Sequence, residues 1–132
     1  MTHLTMNCTY VRLKSGDIEI EHIREMFEDL KDENFKFSKW FPRPALIDKK
    51  SGTVHLFSNQ KFDSKYFDLD NEGWTHDHCQ ICSVVISDQE SEYVKHEGYF
   101  DSWNWICKDC YETLFLSSDI EETLARLDKY EK

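Results

Sequence analysis

Four of the five cysteines stand in two Cys-x-x-Cys pairs, Cys79-Gln80-Ile81-Cys82 and Cys107-Lys108-Asp109-Cys110, with twenty-four residues between them. Two intervening residues let both thiolates of a pair point at one centre while backbone N–H groups of the turn face the sulfurs. Two such pairs complete the tetrahedron that Zn²⁺ favours. One structural Zn²⁺ held by Cys79, Cys82, Cys107 and Cys110 is therefore the first expectation. A disulfide or thioredoxin-type redox pair competes for a single motif, but two pairs and no βαβ setting argue against it. Iron also accepts four thiolates, so spacing alone leaves iron open. An odd cysteine count does not suit a closed disulfide framework, and Cys8, about seventy residues upstream, reads as a small buried or idle residue.

Three histidines lie near the motif in sequence. His76 and His78 precede the first pair and His96 lies between the pairs, with Asp77 beside the first two. They read as groups around the zinc site that bond to sulfur or backbone, because four cysteines already fill a structural centre. The competing reading is a metal-dependent hydrolase, nuclease-like, that uses His76, Asp77, His78 or His96. Zinc deaminase chemistry does not fit: it needs His-x-Glu followed by Pro-Cys-x-x-Cys, and no Pro precedes Cys107.

Those groups must be positioned by a folded chain. At 132 residues it has the length of one ordinary domain, and 39% hydrophobic with 14% aromatic residues is too apolar for a disordered polymer. Residues 1–132 are expected to form a single domain with an N-terminal α/β half, 1–70, and a zinc-binding half, 71–132. Thr9 to Lys14 alternates as a strand, and Ser15-Gly16-Asp17 reads as a turn. Ile20, Ile23, Met26 or Phe27, and Leu30 recur at helical spacing, which predicts a helix over about 18–32, capped by Ser15 or Asp17. Pro42 and Pro44 predict an extended loop over 40–44 and exclude a central strand. Thr53 to Phe57 is strand-like, and the acidic, turn-rich run 63–73 predicts irregular structure. Between the cysteine pairs, 83–86, 93–94 and 103–106 look like short strands, and 111–116 suits a helix that places the second pair at its N-terminus, where the dipole favours thiolates. Ser118-Asp119-Ile120-Glu121 has capping-box spacing, with Ile120, Leu124, Leu127 and Tyr130 on one apolar face of a C-terminal helix. The class is α+β: small antiparallel sheet elements, two or three helices and a four-cysteine zinc module.

A cysteine knuckle, a hairpin and a second pair opening a helix resemble the treble-clef zinc fold over about residues 74–116. The resemblance implies architecture and little about function, since that scaffold hosts binding modules and nucleases alike. The phrases Trp74-Thr75-His76-Asp77-His78-Cys79-Gln80-Ile81-Cys82 and Trp105-Ile106-Cys107-Lys108-Asp109-Cys110 also look like small uncharacterised bacterial proteins, some in toxin-immunity neighbourhoods.

The net charge of −10 is uneven: residues 1–50 carry nine basic and nine acidic side chains, residues 51–132 seven against seventeen. Such a surface repels phosphate backbones, which argues against nucleic acid as a partner and makes a basic protein a fitting one. Asp68, Asp70, Glu72, Glu90 and Glu92 are the candidate contact residues. A local basic patch at Lys36, Lys39, Arg43, Lys49 and Lys50, interleaved with Phe35, Phe37, Trp40 and Phe41, is read as long side chains snorkelling over an aromatic core. No apolar run is long enough to span a bilayer and no leader pattern is evident, so a cytoplasmic location without membrane attachment is expected. The sequence leaves oligomeric state open. The expected function is an acidic, zinc-stabilised interaction module, with immunity to a basic toxin as one concrete version.

Overall fold

The computed structural model describes residues 8–132. The chain runs β1 (Thr9–Leu13), β2 (Gly16–Glu19), α1 (Ile20–Leu30), β3 (Lys36–Lys39), β4 (Arg43–Asp48), β5 (Val54–Leu56), β6 (Phe67–Trp74), β7 (Asp77–His78), β8 (Val85–Ile86), β9 (Val94–Lys95), β10 (Glu97–Phe100), β11 (Trp105–Cys107), α2 (Lys108–Leu114), α3 (Ile120–Arg126) and β12 (Lys129–Glu131). Three helices and small, mostly antiparallel sheets make this an α+β protein. The sheets are ordered β12-β1-β2, β11-β10-β3, β5-β4-β6 and β7-β8-β9. One pair departs from the expected antiparallel pattern: β8 and β9 run parallel.

α1 buries Ile20, Ile23, Phe27 and Leu30, the stripe that its helical spacing requires. It starts at Ile20, later than the sequence suggests, because Gly16-Asp17-Ile18-Glu19 first pairs with β1 as the return arm of a hairpin. Neither Ser15 nor Asp17 caps it; the N-cap is Glu19, without a side-chain cap bond. Asp17 instead accepts a 2.8 Å hydrogen bond from the Tyr130 hydroxyl.

Two stretches differ more sharply from the sequence reading. Pro44 lies within β4, the central strand of its sheet. It is tolerated there because the β4–β6 register shifts between Arg43 and Ala45, so the proline sits at an irregularity where no ladder N–H is required. The acidic run from 67 to 74 forms β6, eight residues paired with β4. Backbone pairing shapes this strand, since most of its side chains are exposed, Leu69 among them. Gly73 lies where an added Cβ would meet Asp70 Cβ at 2.9 Å and Ala45 Cβ at 3.1 Å, so the irregularity requires a residue without a side chain.

The C-terminal helix is also shorter than expected. α3 ends at Arg126, and Lys129-Tyr130-Glu131 returns as β12 beside β1. Its N-cap is Asp119, accepting from Glu122 N at 3.1 Å, one residue beyond the expected Ser118 and with the same spacing. Tyr130 leaves the helix face to stack on Tyr10, with ring centroids 5.6 Å apart.

One apolar cluster links both halves of the chain: Val11, Ile20, Ile23, Leu30 and Trp40 join Cys79, Ile81, Ile86, Trp105, Ile106, Cys107, Cys110, Leu114 and Leu124. The cysteine site is thus part of the core. Among the described residues no helix is long and apolar enough to cross a membrane.

Candidate metal centre

The first cysteine pair is shaped by a tight turn after β7. Cys79 N donates to Val84 O and Ser83 N to Cys79 O, each at 2.9 Å, while Ser83 takes a positive φ of 65° to close the loop. Ile81 N points at Cys79 Sγ, 3.4 Å away. Ile81 itself is buried and anchors the knuckle in the core, and Gln80 N bonds Trp105 O across to β11. The second pair is set by the junction of β11 and α2. Cys107 closes the strand and serves as N-cap of the helix, its sulfur accepting from Cys110 N at 3.5 Å. Gly98, paired with Cys107 on β10, lets the strands approach so closely that a Cβ there would stand 2.7 Å from Ile106 O. Knuckle, hairpin β10–β11 and helix α2 follow one another along the chain.

These elements bring all four sulfurs within 4.8 Å of one another. Sulfurs about 2.3 Å from one tetrahedral ion lie about 3.8 Å apart, whereas a disulfide needs about 2.05 Å. Cys82 Sγ and Cys107 Sγ are 3.7 Å apart, and all four cysteines are free thiols. The donor set fits a thiophilic divalent cation. Four sulfurs this close cannot all be anionic without one. Hydrogen bonding to Cys107, against an opposing bond to Cys110 and together with Cys82 and burial, pushes the Cys79 thiol up. Bonding to Cys107 and then to the other sulfurs, with burial, pushes Cys110 up, while bonding with its neighbours, Cys107 first, holds Cys82 down. Cys107 is held below the usual thiol range chiefly by Cys110. A bound cation replaces those shared protons.

No family model, curated protein or solved structure matches this chain.

Two residues that the sequence did not mark as part of the metal site reach it from the N-terminal half. Ser15 Oγ lies 3.4 Å from Cys110 Sγ, placed to donate to a thiolate. His22, on α1, donates from Nε2 to Gln80 O in the knuckle at 3.1 Å. No local signal marks either, because both contacts join residues distant in sequence. Cys8 is outside the cluster; its backbone exchanges hydrogen bonds with Lys132, extending the β1–β12 pairing.

Asp77 is mostly buried and is not one of the clustered ligands. Its carboxylate accepts from Trp40 Nε1, Trp74 Nε1 and the Arg43 guanidinium, each at 2.9 Å. His76 and His78 are exposed on the rim of an open cleft of about 460 Å³, lined also by Val54, Trp74 and Gln80. His96 lies elsewhere, beside Cys107 and Lys108, with Nε2 donating to Gln89 O at 2.8 Å.

Asp68, Asp70 and Glu72 are exposed on β6, whereas Glu90 and Glu92 are exposed in the turn between β8 and β9, part of a different sheet. The basic stretch is divided as well. Arg43 is committed to Asp77, Lys36 and Lys39 end β3, and Lys49 bonds Ser64 O at 2.8 Å beside Asp68.

Proposed function

We propose that the chain is an acidic, non-enzymatic interaction protein of one domain, stabilised by a single structural Zn²⁺ and engaging a basic protein partner. The observation that supports it is the closed donor set. Four protein sulfurs, three of them on buried residues, complete a four-coordinate site, while catalytic zinc keeps a position for water or substrate. Zinc is the natural occupant of four thiolates held by turns and a helix start. The exposed acidic residues 68, 70 and 72 on β6 and 90 and 92 between the cysteine pairs supply negative potential suited to capture of a basic protein. Immunity to a basic nuclease toxin is the concrete version, since an acidic surface also competes with the toxin's nucleic-acid substrate.

The hydrolase reading has less support, because Asp77 spends its carboxylate on three donors and is not free to take a proton. Elemental analysis of purified protein should give one zinc per chain, lost in Cys79→Ser or Cys110→Ser. A basic protein encoded beside this chain's gene should bind it with an association rate that falls as salt is added. Wild-type protein that cleaves nucleic acid or peptide with multiple turnovers, and loses that activity in His78→Ala while keeping zinc, would overturn the binding reading.

A further inference from the structure

His76 immediately precedes β7 and His78 is its second residue; in this extended stretch the two rings meet on one side of the chain, while Asp77 between them bonds Trp40, Trp74 and Arg43. Their rings meet edge to face with centroids 5.2 Å apart. Two imidazoles that each reach one ion at about 2.0–2.1 Å with a tetrahedral angle have centroids about 5 Å apart. The δ nitrogens are already engaged. His78 Nδ1 lies 3.1 Å from Ser83 O, and a carbonyl can only accept, so Nδ1 carries the proton and Nε2 the lone pair. His76 Nδ1 faces the Thr75 hydroxyl at 3.3 Å, which can accept in the same way. A metal-binding histidine characteristically donates its other ring N–H to an oxygen of the protein, which fixes tautomer and ring orientation.

We propose that His76 and His78 form a second, exchangeable site for a borderline divalent cation such as Ni²⁺, Cu²⁺ or Zn²⁺, separate from the cysteine centre. Imidazole nitrogens suit these ions, and two of them leave the remaining positions to water in the open cleft. Asp77 is not a ligand, because its oxygens are spent, and Gln80 contributes a neutral side chain to the cleft wall. The site rests on no part of the partner reading, and its occupancy is counted apart from the zinc held by sulfur.

Tag-free protein carrying its full complement of cysteine-bound zinc is titrated with NiCl₂ by calorimetry, with imidazole ¹H–¹⁵N spectra recorded in parallel. One saturable equivalent is expected, with paramagnetic broadening confined to His76 and His78. His76→Ala and His78→Ala should each weaken binding by at least about tenfold, the scale of losing a group that supports a metal site. His96→Ala should leave binding unchanged, and elemental analysis should still give one zinc per chain in every variant. If His78→Ala disturbs the adjacent Cys79, the exposed His76→Ala decides alone. The proposal falls if Ni²⁺ does not saturate a single site, if His76→Ala binds as wild type does, or if His96→Ala weakens binding equally.

Discussion

Asp77 shows how one carboxylate can serve structure beside a metal centre. It gathers an indole from Trp40, an indole from Trp74 and the Arg43 guanidinium, and so ties the chain ahead of β4, the start of β4 and the end of β6 to the strand that leads into Cys79. Arg43 and Asp77 are both mostly buried, and Arg43 Nε has no acceptor; apart from a 3.4 Å bond to Trp103 O, the guanidinium's partner is this carboxylate. Asp77→Asn keeps the shape and removes the charge, which leaves a buried cation unpaired. The expected cost is about 3 kcal/mol or more in urea denaturation, with zinc stoichiometry unchanged. A loss below about 1 kcal/mol would mean that water already screens the pair. The cysteines were legible at this scale because each pair is local in sequence and its spacing carries the chemistry. Ser15 and His22 were not, since their value arises only when a hairpin and a helix from the other half fold against Cys110 and Gln80.

Among the elements, α1 and α2 were readable from apolar spacing and from Cys107 at the strand end, whereas β6 was hidden. Its start, Phe67-Asp68-Leu69-Asp70, alternates, but Asn71-Glu72-Gly73 does not continue the pattern, and Pro44 argues against a partner strand. A bulge resolves both, and a bulge leaves little mark in a single sequence beyond Gly73. The α3 cap and the β10–β11 approach can each be tested by one substitution. Asp119→Ala should destabilise the protein by about 1 kcal/mol through loss of the α3 cap, while Ser118→Ala should stay within about 0.5 kcal/mol. Equal effects of the two on urea midpoints would contradict the cap assignment. Gly98→Ala must move β10 away from Ile106 O, at a cost of about 1–3 kcal/mol. Since Gly98 pairs with Cys107, competition with a chromophoric chelator should also show weaker zinc retention in that variant; wild-type retention would mean that the hairpin shifts without moving the sulfur.

At the scale of the molecule, the position of the cysteines within the core decides what metal removal does. Cys79, Cys107 and Cys110 share their cluster with Val11 of β1, Ile23 and Leu30 of α1, and Leu124 of α3. A zinc site at the periphery would release only residues 74–116 on chelation. Here the sulfurs are packing partners of the N-terminal half, and a strong chelator must expose or reprotonate groups that the whole core surrounds. Chelation, or Cys110→Ser, should therefore lower the melting temperature of the entire chain by at least about 10 °C, given roughly 3–5 °C per kcal/mol at this size. Near-UV circular dichroism of the tryptophans and amide exchange in α1 should change in the same transition as zinc release. If α1 and the β1–β12 pair keep their exchange protection after zinc has left, the two halves are independent units and the proposal of a single cooperative domain is wrong.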